Sequence, residues 1–107
     1  MKKEDMQERK QKWFKKLEEE GKLTDPKEDH SRGLRALQNP TRREVLKFIG
    51  DNTVTFGNIK SYFNLDESSL RFHLMMLEQA LYIEQVNNDW RLTPRGIGYL
   101  NNIEPRK

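Results

Sequence analysis

The side chains best equipped for chemistry lie in one run, Leu65-Asp66-Glu67-Ser68-Ser69-Leu70-Arg71-Phe72-His73-Leu74-Met75-Met76-Leu77. Leu70, Leu74, Leu77 and Leu81 recur at steps of four, three and four, which stacks them on one side of an α-helix. The opposite face then carries Ser68, Phe72 and Met75, flanked by Ser69, Arg71 and Met76. Serine hydroxyls bond phosphates or base edges, an arginine fork matches O6 and N7 of guanine, and an aromatic ring can touch a thymine methyl. Asp66, just ahead of the run, can accept a bond from an orphan amide at the helix start. Such a face near a helix N-terminus suits insertion into the major groove of DNA.

The same face admits a second use. Phe72, Met75 and Met76 form an apolar surface for another protein, and the acidic Asp66-Glu67 start fits that reading too. His73 sits at the edge of the leucine stripe, where a partly buried structural role or a phosphate bond outweighs metal binding or catalysis. Arg42, Arg43, Lys60 and Arg91 are candidate phosphate contacts, each equally readable as an ordinary solvated charge.

Other chemistry is poorly supplied. The chain has no cysteine, so a disulfide framework, a thiol nucleophile and a cysteine-based zinc site are excluded. Only His30 and His73 are available as imidazoles. No carboxylate pair or Ser/His/Asp set stands in a persuasive setting, and Gly96 and Gly98 are too few for a nucleotide loop. Neither an enzyme nor a cofactor is expected. No apolar run approaches the roughly 20 residues of a membrane span, and the start lacks a secretory pattern, so the expected location is the cytoplasm. The formal net charge is +3, and residues 1–30 contribute nothing to it, with nine Lys/Arg against nine Asp/Glu. The excess therefore lies in residues 31–107, a small basic bias compatible with phosphate contact.

The positioning elements follow from the remaining pattern. Residues 2–20 lack Gly and Pro and predict a helix with a thin stripe of Met6, Trp13 and Leu17, with Phe14 beside it. Asp5–Arg9 and Glu8–Lys12 are favourable pairs, but Lys2 and Lys3 at the start and Glu18–Glu20 at the end oppose the helix dipole. That helix is marginal alone and needs a surface to settle on. Gly21 ends it, and residues 22–30 read as a polar linker. Ser31 is expected to cap a short helix carrying Leu34 and Leu37, and Asn39-Pro40 to start another, with Val45, Leu46, Phe48 and Ile49 buried. Thr55 caps a third, with Phe56, Ile59, Tyr62 and Phe63 apolar, and Asn64-Leu65 turns into the opening run. After Leu81 the period changes. Tyr82–Val86 and Trp90–Thr93 read as strands about an Asn87-Asn88-Asp89 turn, and Thr93-Pro94 starts a last helix. The expected fold is mainly α with a small β-hairpin, an α+β winged helix-turn-helix. It would comprise a charged N-terminal helix and linker (1–30) and a winged-helix domain (31–107), with the recognition helix near 67–79 and the wing near 82–93.

Three segments carry a family resemblance: Leu34-Arg35-Ala36-Leu37-Gln38-Asn39-Pro40-Thr41-Arg42-Arg43-Glu44-Val45-Leu46, Ser68-Ser69-Leu70-Arg71-Phe72-His73-Leu74 with Leu77, and Leu92-Thr93-Pro94-Arg95-Gly96. Together they resemble the ArsR-like winged-helix transcription regulators, in an archaeal style, over about residues 33–100. The resemblance implies double-stranded DNA as partner, with Ser68, Ser69, Arg71 and Phe72 facing it. It also implies a homodimer built on terminal helices, here Leu34, Leu37, Ile97, Leu100 and Ile103, with Trp13 and Leu17 of the N-terminal arm as further contacts. Departures are visible. Met75 and Met76 stand where basic residues are common, Leu81 where glycine is usual, and the metal-sensor ligands are absent. An effector is left open.

Overall fold

The computed structural model describes residues 5–23 and 25–103. Lys2 and Lys3, assigned above to the start of the first helix, lie outside them. Eight elements follow in order: α1 (Met6–Glu19), α2 (Pro26–Leu37), α3 (Pro40–Ile49), α4 (Phe56–Phe63), α5 (Glu67–Gln79), β1 (Ile83–Val86), β2 (Asp89–Leu92) and α6 (Pro94–Ile103). This is the expected α+β winged helix with an extra helix in front.

The caps are those the side chains dictate. Asn39 Oδ1 accepts from the amides of Thr41 at 2.8 Å and Arg42 at 3.2 Å, with Pro40 in the first helical position. Thr55 Oγ1 accepts from the Asn58 amide at 3.0 Å, starting α4, and Asn64 ends it in the left-handed region (φ 52°). The α2 helix differs from expectation. It begins at Pro26 with Asp25 as its cap, so the linker is shorter than 22–30 and Ser31 lies inside the helix. The Asp-Pro start and acidic Glu28 and Asp29 in the first turn favour this longer helix through its dipole. The division placed at residues 30 and 31 therefore falls within α2.

One core joins all elements but α1. Val45, Leu46 and Ile49 of α3, Ile59 of α4, and Leu70, Leu74 and Leu77 of α5 meet Ile83, Trp90, Leu92 and Leu100. Tyr62, named among the apolar residues of α4, lies outside this core. It is 68% exposed and stacks on the outside against Phe48, with ring centroids 4.4 Å apart. The hairpin pairs Ile83 with Leu92 and Val86 with Asp89, so Asp89 belongs to the strand, not the turn. Asn87 (φ 52°) and Asn88 (φ 72°) alone make the two-residue loop, the positive-φ pair that a tight hairpin requires. Val54 adds a bridge to the hairpin's outer strand. Its amide and carbonyl each bond Trp90 at 2.8 Å. Trp90 is buried and braces the wing against the body.

The motif Leu92-Thr93-Pro94-Arg95-Gly96 is a junction. Thr93 Oγ1 donates to the Leu81 carbonyl at 2.6 Å and accepts from the Gly96 amide at 3.1 Å, so one hydroxyl ends the approach to the wing and caps α6. Gly96 faces the Tyr82 carbonyl so closely that a Cβ there would overlap it, and would stand 3.2 Å from Leu92 Cβ. Gly98, by contrast, faces open space. Arg95 crosses to α2 and grips both carboxylate oxygens of Asp29 at 2.8 Å.

The α1 helix settles on the body of its own chain. Trp13 and Leu17, assigned to a subunit contact by resemblance, are buried with Leu81 in a second small cluster. Both helix exits on either side of this cluster have the same hydrogen-bond pattern. Gly21 (φ 66°) follows α1, with the Lys22 amide bonding the Leu17 carbonyl. Leu81 (φ 68°) follows α5, with the Tyr82 amide bonding the Leu77 carbonyl. A leucine in this conformation costs about 1–2 kcal/mol. Burial of its side chain returns about 1.5–3 kcal/mol, and Leu81 is only 8% exposed. Arg9, which does not pair with Asp5, reaches the wing instead, donating to the Leu92 carbonyl and, at 3.4 Å, to Glu84.

Arg42 ties three helices together. Its Nε donates to the Ala36 carbonyl at 2.7 Å and one Nη to the Arg35 carbonyl at 3.3 Å, satisfying the end of α2. The other Nη lies 3.3 Å from His73 Nδ1 on α5. A guanidinium can only donate, so Nδ1 accepts and the imidazole is assigned neutral with its proton on Nε2. Burial, then the charge of Arg42, pushes the His73 pKa below its ordinary 6.5.

Three outcomes follow. Gly96→Ala should cost about 3 kcal/mol by urea unfolding, because the obstruction is backbone. Leu81→Gly should relax the α5 exit yet release α1, reddening Trp13 emission in a Trp90→Phe background and raising amide exchange across Met6–Glu19. Because the folded-state pKa of His73 is depressed, its contribution is complete above pH 6.5 and is lost as pH falls from there through the folded value. His73→Gln should flatten the difference in urea midpoint between pH 7.5 and pH 5.

Candidate nucleic-acid interface

The helix-turn-helix α4–α5 sets the α5 face outward because Leu70, Leu74 and Leu77 are committed to the core. Opposite them Phe72 is 51% and Met75 42% exposed, with Ser68 and Arg71 also exposed. Ser69, His73 and Met76 lie at its partly covered edges. A cleft separates this face from the wing, bounded by Phe56, Arg71, Met75, Gln85, Asn88 and Trp90. The expected recognition helix and wing are therefore brought together along one side.

The N-terminus of α5 is locally closed. Asp66 caps it, accepting from the Ser69 amide at 3.1 Å, and its carboxylate also takes the hydroxyls of Ser69 at 2.7 Å and Ser68 at 2.8 Å. Those bonds, Ser69's first and then Ser68's, hold the Asp66 carboxyl down at about 2. The two serines thus spend their protons on Asp66 and offer only oxygen lone pairs outward. Arg71 is likewise engaged: its Nε donates to Glu67 at 3.1 Å and its guanidinium lies 4.8 Å from the centroid of the Phe56 ring. The i,i+4 spacing of Glu67 and Arg71 was readable in the sequence. The double claim of Asp66 on both hydroxyls was not, since it depends on their rotamers.

The basic residues proposed as phosphate contacts divide sharply. Arg42 is 7% exposed, with its donors on α2 carbonyls and His73, so it does not face solvent as a phosphate contact would. Arg43 is also drawn inward, donating to the Leu37 carbonyl at 2.6 Å. The physical reason is the end of α2, whose orphan carbonyls attract the nearest donors across the short turn to α3. Arg91 pairs across the hairpin with Glu84 at 2.9 Å, and Arg9 approaches the same carboxylate. Lys60 alone of the four is exposed with no partner among the described residues. Arg9 carried no local signal, because its partner lies 75 residues away in sequence.

The terminal-helix face is also divided. Leu34 is 53% and Ile103 43% exposed, and Leu34 lines a cleft with Gly98. Leu37 and Ile97 are partly buried against the core, and Leu100 is within it at 4%. Among the described residues no cluster of His, Asp and Glu could hold a metal ion, and no helix is long and apolar enough to cross a membrane.

No family model matches the chain. Over 47 residues it is 37% identical to the transcriptional repressor SdpR of Bacillus subtilis (strain 168), a stretch covering 44% of this chain and 52% of that protein. The chain thus spans about half the length of the curated relative it matches. Among solved structures, HlyU from Vibrio cholerae N16961 is similar at a TM-score of 0.59 and 20% identity, over 78% of this chain and all of that one. Reduced HlyU gives 0.57 at 20% identity, over 84% and 99%. The structural likeness shows the fold, a winged helix.

Proposed function

We propose that the chain is a DNA-binding transcription regulator that lays α5 in the major groove and sets its wing against the backbone. The carrying observation is the outward α5 face, where Ser68, Arg71 and Phe72 are exposed and Arg71 borders the cleft to the wing, while the leucines opposite are committed to the core. The similarity to a repressor over 47 residues supports the same reading. Phosphate contact by Lys60 would add to affinity without regard to sequence, and Arg71 would choose bases. Ser68 and Ser69, with their protons held by Asp66, would accept from cytosine N4 or adenine N6.

The protein in this reading works as a homodimer through Leu34 and Ile103, the apolar side chains that α2 and α6 leave exposed. Two recognition helices about 34 Å apart would then read a pseudo-palindromic site. Phe72 and Met75 favour a second reading, in which the exposed apolar face binds a protein.

Selection of duplexes from a random pool, followed by salt-dependent titration, separates the two. Arg71→Ala should weaken the selected duplex by about 1–3 kcal/mol and relax one base position, whereas Lys60→Ala should weaken all duplexes alike and lower the salt slope by about 1. Absence of salt-sensitive binding to any duplex would favour the protein-binding reading. A solution mass equal to one chain would overturn the dimer.

A further inference from the structure

Arg71 is held by both helices of the helix-turn-helix. Glu67, one turn earlier on α5, takes its Nε at 3.1 Å, and Phe56, the first residue of α4, lies under its guanidinium at 4.8 Å. The two Nη atoms have no hydrogen-bond partner among the described residues. An arginine can span O6 and N7 of a guanine by either of two edges, one through Nε and one Nη, the other through both Nη atoms. Glu67 occupies the first edge, and the Phe56 ring restrains the plane of the second.

We infer that Glu67 is a positioning residue for base recognition, presenting the Nη1–Nη2 edge of Arg71 to a guanine. The inference rests on the DNA-binding reading above. As an ion pair between side chains 65% and 62% exposed, the contact contributes little to stability. Its use is to order a flexible side chain before the base arrives, which lowers the cost of docking. A carboxylate at this end of α5 also repels phosphates of every sequence equally. Charge and acceptor therefore have separable effects. The charge weakens all duplexes, and the acceptor sharpens the choice among them.

Two substitutions separate those effects. Glu67→Gln removes the charge and keeps an oxygen acceptor, whereas Glu67→Ala removes both. The probes are the duplex selected by the wild-type protein and the same duplex with adenine replacing the guanine whose preference Arg71→Ala abolishes. Circular dichroism and thermal midpoints of both variants report that the helix is intact. Both variants should bind both duplexes more tightly. Wild-type preference for guanine should be on the order of tenfold; Glu67→Ala should cut it by about two- to fivefold, with Glu67→Gln retaining more of it. Equal preference in all three proteins would overturn the positioning role while leaving DNA binding intact. So would an Arg71→Ala variant that relaxes no guanine. Failure of the wild-type protein to bind any duplex is a different result and removes the DNA-binding reading itself.

Discussion

The hydroxyl of Thr93 is the point on which α5, the wing and the terminal helix agree. It gives its proton to the Leu81 carbonyl, just past α5, and takes the Gly96 amide at the start of α6. Between these bonds the Thr93 amide reaches the Tyr82 carbonyl at 3.0 Å. Three changes of chain direction are thereby tied within a side chain that is 1% exposed. Gly96 is the necessary complement, since any side chain would strike the Tyr82 carbonyl that this arrangement brings forward. The angle between α5 and the wing is thus a property of a few buried bonds, and the cleft between them inherits it.

The arginines show how little net charge says about a surface. Arg42 and Arg43 serve the carbonyl end of α2, and Arg95 joins α6 to Asp29. Each satisfies groups that would otherwise be left unpaired at a helix end or an interface. Much of the basic excess of residues 31–107 is consequently internal wiring. What remains outward is a modest field, to which Lys60 gives an exposed charge while Arg71 and Arg91 share theirs with Glu67 and Glu84.

Most of the fold was legible because its signals are local. Asn39-Pro40, Thr55, Asn64 and Asp66 each do what their side chains predict at a helix terminus. The leucine period of α5 and the two asparagines of the wing were equally direct. The start of α2 was available in Asp25-Pro26 but masked by the polar composition of the stretch, where capping chemistry outweighs hydropathy. Non-local contacts left no such trace. Nothing in the neighbourhood of Arg9 announces Glu84, and nothing near Val54 announces its bridge to Trp90. The fate of Arg42 and Arg43 depended on which carbonyls the α2–α3 turn would bring within reach. In the candidate site the residue types were readable and their engagement was not: Asp66 and Glu67 lie beside the serines and Arg71 in sequence, but only geometry shows that they hold them.

A two-stranded hairpin alone is marginally stable and pliable, yet this one is held at two further points. Val54 bridges Trp90 of β2, and Arg9 of α1 takes the Leu92 carbonyl and reaches Glu84. The wing is therefore a stiff strut with only the Asn87-Asn88 tip left free to adapt. In the DNA-binding reading proposed above, such a strut would leave the adjustment to the nucleic acid. Groove width and bendability would then be read as energy, extending sequence preference to base pairs that no side chain touches.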